Sequence, residues 1–261
     1  MKLSISNIAW AKEHDEEIYR FLQQEQIHGL EIAPTRIFPE TPYEYSDEAS
    51  LWAKNLKNTY GLSISSMQSI WFKRSENIFR SHEDRQALLE YTKQAIDFAA
   101  AIHCHNLVFG CPRNRSMDEH SKIEYAFSFF HELGEYALSK NTVLALEPNP
   151  TIYNTNFINT TTEAISMIRE VDSSGFLLNL DMGTVIYNQE SLDLIADNLS
   201  CINHIHISEP RLVLIQPRDL HRELANIITS DYHNYVSIEM GLQNDLSHVK
   251  NTIYYLKGLF S

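Results

Sequence analysis

Leu144-Ala-Leu-Glu-Pro-Asn-Pro150 ends a short apolar run on a carboxylate, Glu147, and then breaks into a proline-rich turn. The same form returns three times: LLNLD closes on Asp181, INHIH on His206 and YVSIE on Glu239. The four residues are 34, 25 and 33 positions apart. An eight-fold β/α barrel of about 250 residues spends about 31 residues on each strand–helix unit, and the C-terminal ends of its strands meet at one mouth. The spacing therefore advances about one unit per polar residue and brings the four together.

Working outward, the whole chain alternates short apolar runs with longer amphipathic stretches, the pattern of βα units and a parallel sheet. Eight strands are predicted, at 2–6, 29–33, 62–67, 106–110, 142–147, 176–181, 201–207 and 235–239. Helices are clearest over 83–102, 121–138, 162–171 and 246–256. Ser81 or His82, Thr160 to Thr162 before Glu163, and Asp245 stand where N-caps belong. No Gly/Ser linker or change of composition divides the 261 residues. The expectation is an α/β protein, one (β/α)8 barrel domain over 1–261.

Alternation within the strands gives each a facing. Leu144 and Leu146, Leu178 and Leu180, Ile205 and Ile207, and Val236 and Ile238 share the parity suited to a helix layer. The other parity carries Ala145 and Glu147, Asn179 and Asp181, His204 and His206, and Ser237 and Glu239. Ser4 and Ser6, Glu31 and Ala33, and Ser63 and Ser65 join it in the first three strands. A barrel interior that is polar near the strand ends is the pattern of a site rather than of a dry core.

Taken singly, Glu147 before Pro-Asn-Pro and Asp181 before Met-Gly are ordinary turn chemistry. On matched parity in successive strands, three carboxylates and an imidazole read as a divalent-cation ligand set. Mn²⁺ is the expected ion, with Co²⁺, Mg²⁺ and Zn²⁺ as alternatives. Four protein ligands on a six-coordinate ion leave two positions for substrate oxygens. Around the mouth, Asn7, Gln68, Asn149, Thr184, Glu209, Arg211 and His221 are candidate substrate contacts. His204 reads as a hydrogen-bonded interior histidine, and Glu31 as an inward carboxylate with no evident partner. Trp10, Trp71 and Phe72 lie just past strand ends, as core or as an apolar wall of the site.

The formal charge of −13 argues against nucleic-acid and anionic-membrane partners. Three cysteines without a CxxC pair, no apolar run long enough to span a bilayer and no secretory pattern at the start fit a cytoplasmic protein. Lys73, Arg74, Arg80, Arg113, Arg115, Arg211, Arg218 and Arg222 all fall in segments after strands. They read either as ordinary loop charge or as a positive funnel for an anionic substrate. Pairing into a homodimer stays open.

The LEPNP, LLNLD, HIHISEP and YVSIE segments resemble the xylose isomerase-like barrel superfamily of sugar and sugar-phosphate isomerases and epimerases, which also holds endonuclease IV-type repair enzymes. ISNIAW, GLEIAPTRIF and LVFGCPRNR resemble one branch of it. The resemblance runs over the whole chain and implies a metal-dependent isomerase or epimerase of a small sugar or sugar phosphate. It assigns the ion to Glu147, Asp181, His206 and Glu239, and proton transfer through a metal-bound cis-enediolate to Glu147 and Glu239. A dehydratase or lyase on a related polyhydroxy compound is the alternative; a repair endonuclease and an inactive barrel are further ones. Sugar epimerases of the group carry histidine three residues after the aspartate. Here Asp181-Met-Gly-Thr184 has threonine, which hydrogen-bonds but does not titrate near neutrality.

Overall fold

The computed structural model describes residues 1–228 and 232–260. Eight parallel strands close in sequence order: β1 Lys2–Ser6, β2 Gly29–Ile32, β3 Ser63–Met67, β4 Leu107–Phe109, β5 Leu144–Leu146, β6 Phe176–Asp181, β7 Ile202–Ile207 and β8 Tyr235–Ile238. β8 returns to pair with β1, Leu3 opposite Val236 and Ile5 opposite Ile238. The closed ring removes the free sheet edge. The expected (β/α)8 barrel is the observed one.

The helix layer is built as the amphipathic pattern requires. Helices His82–Ala101, Glu124–Ser139, Thr161–Val171 and Leu246–Phe260 pack apolar faces onto the outward parity of the strands. Leu144, Leu146, Leu178, Leu180, Ile205, Ile207, Val236 and Ile238 are all fully buried there. Each such side chain contributes about 1.5–3 kcal/mol relative to leaving it in water. An aromatic seam ties helix 124–139 to the sheet: Phe109 meets Phe130 edge-on at 5.0 Å, and Phe130 stacks on Phe176 at 4.7 Å. Ser81 caps the first of these helices through Asp84 N–H, and Thr160 with Glu163 forms a reciprocal capping box on the third. No helix among the described residues is long and apolar enough to cross a membrane.

One facing expectation fails. Ser65 was expected to point inward with Ser63, but β3 carries an extra residue against β2, so Ser66 rather than Ser65 pairs with Glu31. A bulge of this kind shifts every later side chain by one position. It is what brings Gln68 to the inner face, with Nε2 2.8 Å from Ser6 Oγ. β7 has the matching irregularity, pairing Leu178 with Ile202 but Asn179 with His204. There the two histidines keep the inward facing read from the sequence.

Candidate active site and metal-binding cluster

The quartet converges at the C-terminal rim. Asp181 is the last residue of β6, His206 the penultimate residue of β7, and Glu147 and Glu239 directly follow β5 and β8. One ligand atom from each lies within 4.8 Å of every other. His206 Nδ1 is 3.0 Å from Glu147 Oε1 and 3.1 Å from Glu239 Oε2. The imidazole is fully buried, and the carboxyl groups look into a cavity of about 200 Å³.

Each acid is held by its own donors. Glu147 accepts from Asn179 Nδ2 at 2.8 Å on Oε1 and from Asn149 Nδ2 at 2.9 Å on Oε2. Asn149 is fixed in turn by Arg115, fully buried, whose Nη2 donates to Asn149 Oδ1 at 2.7 Å and to the Glu147 carbonyl at 2.9 Å. Burial lowers the Arg115 pKa to about 10. Asp181 caps the helix that follows it, accepting Thr184 N–H at 2.8 Å on Oδ2, while Ser208 Oγ donates to Oδ1. Ser208 also accepts Gly183 N–H at 2.8 Å and so joins the β6 and β7 exits.

Crowding three acids into one buried place has an electrostatic consequence. Burial pushes Glu239 up to about 7, with the Glu147 and Glu31 charges adding to it and His206 opposing. Burial and the charge of Glu147 raise Asp181 as well. Burial opposes protonation of His206, yet the charges of Glu239 and Glu31 outweigh it and hold its pKa well above the usual imidazole range. A divalent cation among the four would relieve this repulsion, and oxygen-rich donors with one imidazole nitrogen suit such an ion. The residues present fit a metal.

Among the candidate substrate contacts, Gln68 and Asn149 line the cavity with Glu147, Asp181 and Glu239. The other five lie elsewhere. Asn7 is fully buried and accepts Ala33 N–H at 3.0 Å, tying the β1 exit to the β2 exit. Thr184 is fully buried, its hydroxyl 2.8 Å from both Asp181 Oδ2 and the Pro148 carbonyl. Glu209 is clasped by Arg218 at 2.7 and 2.6 Å. Arg211 is exposed, and its backbone N–H donates to the Tyr153 hydroxyl at 2.8 Å. His221 is buried behind the mouth, 3.1 Å from the Tyr255 hydroxyl. Trp10 and Trp71 are buried core residues and Phe72 is on the surface; none of them walls the cavity.

The positive funnel does not form. Arg74 pairs with Glu76, Arg80 with Asp84, Arg218 with Glu209 and Arg222 with Asp219. Arg115 lies behind Asn149, and Lys73, Arg113 and Arg211 are outside the cavity lining. No Lys, Arg or His is among the residues that line it. Sequence reading also missed Tyr153. It sits in the loop after β5, lines the cavity, and is driven up to about 12 by burial and by the neighbouring acids. Its only sequence signal was its place just beyond Glu147. Ser208 was missed as well; its signal was its place two residues after His206 on the same parity.

The profile of xylose isomerase-like TIM barrels matches residues 20–253. The chain belongs to that family. Comparison with curated protein sequences gives no match. Among solved structures, D-psicose 3-epimerase with D-tagatose from Clostridium cellulolyticum H10 superposes with a TM-score of 0.80 at 14% identity, over 100% of both chains. The 3-keto-D-glucoside 4-epimerase of E. coli gives 0.76 at 17% over 99% of each. The probable 3-DHS dehydratase of Bacillus anthracis gives 0.71 at 16%, over 98% of this chain and 99% of that one. At such identities the likeness is one of fold.

Proposed function

We propose that this protein is a metal-dependent isomerase or epimerase of an uncharged, monosaccharide-sized polyhydroxy carbonyl compound. The observation that carries the reading is the convergence of Glu147 and Glu239 on one imidazole nitrogen at the wall of one cavity. Two carboxylates beside a bound carbonyl compound are the equipment for taking a proton from carbon on one side and returning one on another. Glu147, Asp181, His206 and Glu239 hold the ion, Mn²⁺ first among those that suit the set. When bound, such an ion polarises the substrate carbonyl and so acidifies the adjacent C–H bond.

The protein's own groups do the rest. Glu147 is aimed by Asn179 and Asn149, so its carboxylate meets the substrate in one orientation. Glu239, in its apolar and acid-crowded surroundings, is suited to carry a proton near neutral pH. Gln68, Asn149 and Tyr153 offer hydrogen bonds to hydroxyls, and Val108 and Leu212 supply apolar wall. With the ion among three carboxylates, the lining still offers no basic side chain to pair with a phosphate or carboxylate on the substrate. The volume of about 200 Å³ lies below the usual range for larger ligands.

The test is solvent-deuterium incorporation with a panel of free ketoses and aldoses beside their phosphates, with Mn²⁺ supplied. Expected is exchange at the carbon next to the carbonyl for a free sugar, lost in Glu239→Gln. A turning-over Glu239→Gln variant would sink the proton-transfer role. Product mass separates the alternative reaction, because dehydration lowers it by one water and isomerisation conserves it.

A further inference from the structure

Glu31 lies on the inner face of β2 one layer below the quartet, with no exposure. Its Oε2 is 2.8 Å from His206 Nε2 and 3.0 Å from His204 Nε2, and Gln68 Nε2 approaches Oε1 at 3.3 Å. A carboxylate only accepts, so each imidazole nitrogen facing it presents an N–H. For His206 that leaves Nδ1, the atom 3.0 and 3.1 Å from the two glutamates, to face the ligand cluster.

We infer that Glu31 is a positioning residue for the ion site: it accepts the Nε2–H of His206, is braced by His204, and so fixes Nδ1 as the ligating nitrogen. The inference rests on the reading of the quartet as a metal site. Orienting a ligand histidine through its other ring nitrogen also turns the ring plane, and losing such a partner typically weakens metal binding about 10–100-fold.

Glu31, His204 and His206 also bring three ligand atoms within 4.8 Å of one another, the makings of a second ion site. Contact length does not separate the two groups, since 2.8 and 3.0 Å here are hydrogen-bond lengths like the 3.0 and 3.1 Å in the quartet. Access does: none of Glu31, His204 and His206 lines the cavity, whereas Glu147, Asp181 and Glu239 do. With all three residues buried, the carboxylate needs the N–H groups it accepts, because an unpaired one in this place would be costly.

The experiment compares the full chain, wild type, with Glu31→Gln and His204→Gln. Titration calorimetry with Mn²⁺ reads affinity and stoichiometry, ¹⁵N–¹H spectra of the Zn²⁺-loaded protein read the His206 tautomer, and circular dichroism reads the fold. The inference expects Nε2-protonated, Nδ1-ligated His206 in the wild type and a 10–100-fold weaker site in folded Glu31→Gln. His204→Gln, which keeps the carboxylate, loses less and serves if Glu31→Gln does not fold. Wild-type affinity in both folded variants, or ligation through Nε2, overturns it. So does a second equivalent of ion that disappears with Glu31, which would make that residue a ligand. An Asp181→Ala variant that binds Mn²⁺ like the wild type overturns instead the metal reading beneath it.

Discussion

A Cβ placed on Gly110 would stand 2.7 Å from Glu147 Oε2, so the exit of β4 and the carboxylate of β5 share one space. Only a residue without a side chain lets Glu147 reach toward His206. The group in the way is the end of a flexible side chain, so Gly110→Ala is cheap for the fold and expensive for the site. An alanine there is expected to lower kcat/KM roughly 100-fold, the usual cost of misplacing a reacting group by about 1 Å. The unfolding midpoint should stay within about 2 °C. Steady-state kinetics beside a thermal melt reads both; unchanged kinetics would mean that Glu147 does not need its observed position.

The fold and the quartet were legible because both rest on periodicity. Apolar alternation sets which face a strand residue takes, and repeated strand–helix units set where successive strands end. Ser65 was misplaced because a bulge leaves no mark in a serine-rich run such as Ser63-Ile-Ser-Ser-Met67. Glu31 was readable as inward but not as bonded, because its partners His204 and His206 lie across the barrel, over 170 residues away in sequence. Loop residues carry no such signal. A strand parity fixes direction, whereas Glu209, Arg211 and Arg218 point where their own turns and ion pairs send them.

Metal binding should register as stability. An ion that binds only the folded quartet adds about 2.7 kcal/mol at a hundredfold excess over its Kd. In a chain of this length that raises the unfolding midpoint by roughly 5–10 °C. Mn²⁺ is expected to do so for the wild type, and EDTA to reverse it. An Asp181→Ala/His206→Ala double variant should show no response. Equal shifts in both proteins would place the ion elsewhere.

Tyr153 accepts from the Arg211 backbone N–H, and among the described residues no partner takes its own hydrogen. With its pKa at about 12 the phenol stays protonated at neutral pH, a donor at the cavity wall. Tyr153→Phe is expected to raise KM about fivefold, the worth of roughly one neutral hydrogen bond, with a smaller change in kcat. A KM equal to that of the wild type would remove Tyr153 from substrate contact.

Thr184 holds Asp181 and the Pro148 carbonyl from a fully buried position, so it acts on the site from behind. Thr184→Val keeps the shape and removes the hydroxyl, leaving Asp181 Oδ2 with one donor fewer. The expected cost is about 1–3 kcal/mol of stability, together with weaker Mn²⁺ binding; Thr184→Ser should restore both. A Thr184→Val variant with wild-type stability and wild-type Mn²⁺ affinity would show that the hydroxyl supports neither.

His221 supplies a pH dependence separate from the quartet. Burial lowers its pKa to about 4; Glu209 opposes the shift and Arg218 adds to it. In the unfolded chain an imidazole titrates near about 6.5. Above that pH both states are neutral and His221 has no effect. Between about 6.5 and 4 the unfolded chain takes up a proton that the folded one refuses, so stability falls with pH, by at most about 1.4 kcal/mol per unit. Below about 4 both states are charged and the loss levels off. Urea unfolding at pH 7 and 4.5 should therefore show the wild type losing about 2–3 kcal/mol more than His221→Gln. Parallel losses would mean that the buried ring is already protonated in the folded protein, with its free Nε2 satisfied in another way.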